Sequence, residues 1–239
     1  MGGPLQAQSD DHGSDGDVRL SSIMGELARS LHEDHDDLDA TFDGICDAAR
    51  LIPGAEDAGV TVVLPNRKFG SRGQTGPIPE KIDRLQQDLH EGPCIDAAED
   101  GVMVRVDDMR SEQRWDRFAP EAAATDVRSM LSFQLWVEGT HLGALNLYST
   151  QVGAFDEAAE QIAQPLAAHA SVALDGARRE QQLREAVDSR DLIGQAKGML
   201  MQRYSIDADR AFELLTCLSQ ERNVKVRDIA DSITRRGTI

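Results

Sequence analysis

Cysteine is scarce in this sequence, and the three present, Cys46, Cys94 and Cys217, are far apart. They form no CxxC pair and no Cys/His zinc spacing, so they fit reduced, mostly buried thiols rather than a disulfide framework. No apolar run reaches about 18 residues, which excludes a transmembrane helix. The stretch Met1 to Arg19, MGGPLQAQSDDHGSDGDVR, lacks the apolar middle of a signal peptide. Residues 1–19 are therefore expected to be a disordered acidic tail, and the location cytoplasmic. No receiver-domain pattern occurs, so phosphorylation is not the expected input. Positive charge is also short: 25 Lys+Arg face 42 Asp+Glu, a net of −17, which at first argues against a nucleic-acid partner.

What is present is enough apolar material to fold. The 239 residues are 40% hydrophobic, consistent with one large domain or two smaller ones. The charge is unevenly spread. From Arg178 to Ile239 there are 12 Lys+Arg and 10 Asp+Glu, a net of +2, leaving 13 against 32 and a net of −19 elsewhere. The carboxy-terminal part is thus free to approach phosphate, and the asymmetry supports two domains with separate work.

Helical spacing runs from Leu20 to Ile52, with Ile23, Leu27 and Leu31 in one stripe and Leu38, Phe42, Ile45 and Ala49 in another. Pro53-Gly54 stops it. Ala58 to Leu64 is a β-branched strand; Pro65 to Pro77 is a loop that could hold a short strand. A short helix starts at Pro79, and another short helical piece follows Gly92-Pro93-Cys94. Val102–Val106 reads as a strand and Trp115–Ala124 as a short helix. Met130–Val137 and His141–Tyr148 form a hairpin across Glu138-Gly139-Thr140. This order predicts an α+β domain with an antiparallel sheet flanked by helices.

Helical periodicity returns at Phe155 and continues past Leu183 and Val187, with Pro165 expected to bend or delay it. One long helix should leave the first domain and enter the second. Its alanines, with Leu183 and Val187 at near-heptad spacing, suit a paired seam and hence a homodimer; packing on the chain's own sheet is the alternative. Asp207 can cap a helix ending near Glu221, Asn223 marks a turn, and Val226, Ile229, Ala230 and Ile233 define a third helix. Ile193, Leu200, Phe212, Leu215 and Ile229 are expected to be core.

Ser189 to Arg203, SRDLIGQAKGMLMQR, is the informative stretch. Gly198 costs about 1 kcal/mol against alanine inside a helix, so a close approach by a partner or ligand is one reason for it. Arg190, Lys197 and Arg203 lie nearby, and a bare notch beside cations suits an anionic polymer; an ordinary solvated helix is the plain alternative. Cys94 reads either as a redox or attachment thiol at a helix N-terminus or as a buried structural thiol, which is the commoner case. Trp115, Phe133, Trp136 and Tyr148 either line a sensor pocket or fill the core. His32 and His35, with Glu33, Asp34 and Asp36, hint at a metal site, but a solvated face accounts for them better. No catalytic set, metal or cofactor is assigned.

SRDLIGQAKGMLMQRYSIDADRAFELL, followed by LSQERNVKVRDIADSI, resembles the ANTAR domain, an all-α three-helix RNA-binding output module. EGPCIDA at Glu91–Ala97, VDDMRSEQRWDRFAPEA at Val106–Ala122, VRSMLSFQL at Val127–Leu135 and LGALNLYS at Leu142–Ser149 resemble the GAF domain of actinobacterial GAF–ANTAR proteins. The resemblance implies a GAF sensor domain over 20–177, then a helical linker and ANTAR domain over 178–239. It also implies antitermination: dimeric ANTAR domains hold paired hexaloop stem-loops in mRNA leaders and block the terminator. Specific RNA recognition favours such loops, where base edges are free. The expected RNA-binding residues are Ser189, Arg190, Ala196, Lys197, Gly198, Met201, Arg203, Tyr204, Asn223, Lys225 and Arg227, although Arg227 is equally placed to pair with Asp231. Arg235 and Arg236 read as a frayed tail. Cys94, Trp115 and Tyr148 are the ligand candidates for an unidentified small-molecule or redox signal. A DNA-binding regulator with a GAF sensor is the alternative.

Overall fold

The computed structural model describes residues 18, 21–26, 28–29, 37–64, 68–101 and 103–236. Contacts divide the chain into two compact units, Met1–Arg178 and Arg179–Ile239.

The first unit opens with helical residues at 21–26 and then helix α1 (Leu38–Ala49). The Asp37 carboxylate starts α1 by accepting from the Asp39 N–H at 2.9 Å. The His32–Asp36 cluster and the 1–17 tail lie outside the described residues. Strand β1 (Asp57–Leu64) and strand β2 (Lys68–Gln74) pair antiparallel, followed by α2 (Pro77–Leu89) and α3 (Pro93–Asp100). Strand β3 (Val104–Val106), helix α4 (Phe118–Ala123) and the hairpin of β4 (Ser129–Val137) and β5 (Thr140–Ser149) complete the sheet. The strand order is β2-β1-β5-β4-β3, and all pairs are antiparallel.

Alternation along the strands sends side chains to two helical layers. Val60, Val62, Leu131, Phe133, Leu135, Leu145 and Leu147 pack with α1 and the first turns of α5 (Glu157–Tyr204). Met130, Ala144 and Tyr148 pack with α2, α3 and α4 on the other side.

Several expectations change here, among them the helix expected from Trp115, which starts at Phe118 and leaves Trp115 outside it. Residues 68–74 form a full strand, because pairing with β1 supplies hydrogen bonds that their glycines and charges conceal in sequence. Helix α2 begins two residues early, at Pro77, since Pro77 and Pro79 both suit a first turn. Helix α5 is not delayed by Pro165: it starts at Glu157 and includes it. The carbonyl that loses its partner belongs to Gln161, which is exposed.

The second unit is all-helical. The end of α5 packs with α6 (Ala208–Arg222) and α7 (Val226–Arg236) around Ala196, Leu200, Ala211, Leu215, Ile229, Ala230 and Ile233. Asp207 caps α6 by accepting from the Arg210 N–H at 2.8 Å. Asn223 ends α6 in the left-handed region, with φ 52°. Ile193 packs only partly buried, and Phe212, expected in the core, is 46% exposed. Its neighbours Ala211 and Leu215 take the inward positions, so Phe212 falls at the rim.

Candidate nucleic-acid interface and sensor core

In α5, successive residues turn by about 100°. Arg190, Lys197, Met201 and Tyr204 therefore share an arc of roughly 60°, with Gly194 and Gly198 further round the same open side. Arg190, Met201 and Tyr204 are exposed, and Lys197 is half-buried. A Cβ placed at Gly194 or Gly198 would meet nothing within 4 Å. The Lys197 Nζ lies 5.8 Å from the centroid of the Phe212 ring on α6, a cation–π contact. Arg184, Arg210 and Arg235 are tied to Glu180, Glu213 and Asp231, whereas among the described residues Arg190 and Lys197 take part in no ion pair. Two cations, two aromatic rings and a bare backbone segment thus share one face.

Other expected residues lie elsewhere. Ala196 is completely buried at the centre of the three-helix core, so it cannot form a small outer surface with Gly198. The turn that aims Gly198 outward aims Ala196 inward. Ser189 is half-buried, and Arg203 is exposed but falls well outside the arc. Asn223 and Lys225 are exposed in the turn before α7, and Arg227 is half-buried in its first turn. Asp231 accepts from Arg235 Nε at 2.8 Å, so Arg235 belongs to α7 rather than to a frayed tail. Phe212 escaped sequence reasoning because helical periodicity does not separate a core position from a rim position one residue away.

In the first unit Cys94, Trp115 and Tyr148 all lie in the layer between the sheet and α2–α4, at 0%, 5% and 0% exposure. Cys94 does sit at the start of α3, but burial pushes its thiol up to about 12, with the nearby Asp83 carboxylate adding to the effect. Desolvation outweighs any help from the helix N-terminus, so the thiol stays protonated at neutral pH. Trp115 donates Nε1–H to Asp96 at 2.9 Å. Around them is an unexpected polar group. The buried Asp83 carboxyl accepts from Tyr148 Oη at 2.7 Å and from Ser71 Oγ at 2.6 Å, and Asn146 Nδ2 donates to Thr61 Oγ1 at 3.1 Å. Burial pushes the Asp83 pKa up against the pull of those two hydrogen bonds. Gln86 Nε2 and Ser132 Oγ are buried without a partner among the described residues. Trp136 behaves differently: it is 56% exposed and lines an open groove of about 630 Å³ with Met103, Val137, Ala168 and Val172.

A helix-covered antiparallel sheet with a buried polar centre is thus followed in the chain by a helical unit with an open cationic face. The family models specify both units further. Residues 35–175 match the GAF domain and residues 181–233 the ANTAR domain. The chain belongs to the GAF–ANTAR regulators, in which GAF is the sensor and ANTAR the RNA-binding antitermination module. Among solved structures, the GAF domain of an Acinetobacter phosphoenolpyruvate-protein phosphotransferase is similar at 17% identity and a TM-score of 0.57, covering 71% of this chain and 98% of that one. The corresponding Coxiella burnetii domain has 16% identity and a TM-score of 0.58, covering 72% and 99%. The free methionine-R-sulfoxide reductase of Neisseria meningitidis, solved with its substrate, has 20% identity and a TM-score of 0.54, covering 74% and 98%. At these identities the likeness concerns the fold alone. No curated protein matches the sequence. Among the described residues, no helix is long and apolar enough to cross a membrane.

Proposed function

We propose that this chain acts as a homodimer in the cytoplasm, binding paired hexaloop stem-loops in mRNA leaders so that the overlapping terminator cannot form. It acts by binding rather than by catalysis. The observation that carries this reading is the open face of α5, where Arg190 and Lys197, with Met201 and Tyr204, lie beside the bare backbone of Gly194 and Gly198. Cations without carboxylate partners favour phosphate, and the glycines let a loop backbone approach closely. Asn223, Lys225 and Arg227 add a second contact at the turn before α7. Ser189 and Arg203 serve at the margin, and Ala196 supports the face from inside. Dimerisation is supported by Leu183 and Val187, which stay 67% and 52% exposed on a helix. Two linked output units gain affinity through effective concentration, which suits a leader carrying two loops.

The signal is proposed to be a small molecule received around Asp83, Asn146 and Ser132, with Cys94, Trp115 and Tyr148 as the surrounding wall. Polar atoms buried without partners favour any ligand that satisfies them. Because α5 runs on from the sensor sequence into the output sequence, altered pairing of that helix is the proposed carrier of the response.

The test is a gel shift of the full chain with a two-hexaloop leader RNA and with duplex DNA of equal length. Preference for the RNA, weakened by Lys197→Ala, is the expected result. Preference for the duplex would replace this reading with a DNA-binding one.

A further inference from the structure

The helical unit holds two aromatic side chains, Tyr204 and Phe212, and neither belongs to its core. That core is built from alanine, leucine and isoleucine. Both rings instead stand at the surface, 48% and 46% exposed. An exposed phenylalanine has no polar group to satisfy, so its outer face is available only for apolar or stacking contact. Lys197 lies over the same ring at 5.8 Å. The cation leans on the aromatic and remains half-buried beside the open arc of α5.

We propose that Phe212 is a stacking platform for one unpaired nucleobase, with Lys197 holding the phosphate next to that base. The inference rests on the RNA reading above and adds a contact that none of the α5 residues supplies. A ring is tolerant of base identity, because every base offers a π-face, so Phe212 provides affinity for an unstacked loop rather than sequence choice. The adjoining cation supplies the salt-dependent part of the same contact. A base paired inside a duplex has no free face to offer, so the pair Phe212–Lys197 discriminates loop from stem.

The experiment uses the full chain and a two-hexaloop RNA with 2-aminopurine substituted in turn at each loop position. Affinity is measured at several salt concentrations for the wild type, Phe212→Leu, Phe212→Tyr and Lys197→Ala. Phe212→Leu is expected to weaken binding about tenfold, within the range for one lost stacked base. It should leave the salt slope unchanged and abolish the 2-aminopurine quenching at one position. Phe212→Tyr should retain both affinity and quenching. Lys197→Ala should instead lower the slope by about 0.7, the amount for one phosphate on a single strand.

Unchanged affinity in Phe212→Leu, with normal wild-type binding, would overturn the stacking role and leave the RNA reading standing. Absence of wild-type binding to the RNA would remove both. Sedimentation of each variant separates a further case. If Phe212→Leu shifts the monomer–dimer balance and the affinity loss follows it, the ring packs on a second copy and the proposal fails.

Discussion

Gly198→Ala should make the protein more stable and less able to bind. Gly198 lies inside α5, six residues before its end. A glycine there costs about 1 kcal/mol relative to alanine, through the extra backbone entropy lost on folding. Within the chain nothing opposes the methyl, since a Cβ at 198 meets no atom within 4 Å. The substitution should therefore raise the stability of the helical unit by about 1 kcal/mol, equivalent to roughly 4–8 °C for a domain of this size. The same methyl would project into the proposed contact face. If RNA or a partner helix packs there as tightly as in a protein interior, the intrusion costs about 1–3 kcal/mol, or about 5- to 150-fold in affinity. Far-UV circular dichroism follows the helices during melting, and fluorescence of Trp115 and Trp136 reports on the first unit separately. Two results would refute the reasoning. A lowered melting temperature would mean that Gly198 has a reason inside the chain. A raised one with unchanged RNA affinity and dimerisation would mean that the bare face is not used.

Two further outcomes can be checked directly. A thiol reagent at mildly alkaline pH should modify only exposed Cys217 in the folded chain and all three cysteines in denaturant, because Cys46 and Cys94 are buried. Cys217 should also react more slowly than a free thiol, since the Glu221 carboxylate pushes its pKa up; rapid loss of all three thiols from native protein would contradict the buried placement. Asp83 should weaken the first unit as pH rises. Its folded pKa is raised above the unfolded one. The stability it contributes is thus present below the ordinary carboxylate range and lost as pH climbs through the raised value. Urea midpoints read by tryptophan fluorescence should fall over that interval in the wild type more than in Asp83→Asn, and parallel curves would exclude Asp83 as the source.

Local chemistry made much of the fold readable. Pro53-Gly54 follows the end of α1, Asp207 caps α6 through its carboxylate, and Asn223 closes α6 in the left-handed region. The β4–β5 hairpin was equally visible, because strands that alternate between two buried layers remain rich in large apolar residues around a short glycine-containing turn. Strand β2 was not, since KFGSRGQ has neither alternation nor bulk and is held by its neighbour β1. The site was legible in part. Arg190, Lys197, Met201 and Tyr204 do share a face, yet Ala196 belongs to the core and Phe212 to the rim. Sequence spacing places a residue on a helix to within a fraction of a turn, but where the inward sector ends depends on how the other helices pack. The Asp83 group was hidden for a different reason. Its members come from β1, β2, α2, β4 and β5, and only the fold brings them together.

The strand order also sets a timetable during synthesis. β1 lies between β2 and β5, and its second edge waits for residues about 85 positions downstream, as in the pairing of Val60 with Leu145. On the ribosome the early β1–β2 hairpin therefore has an open side until β5 emerges, a non-local closure that is slow compared with helix formation. The three output helices, by contrast, draw on neighbours close in sequence and can assemble almost as soon as they are made. The sensor sheet thus becomes closable before the output helices are complete, but its slow non-local closure runs against a fast local one in the unit translated after it.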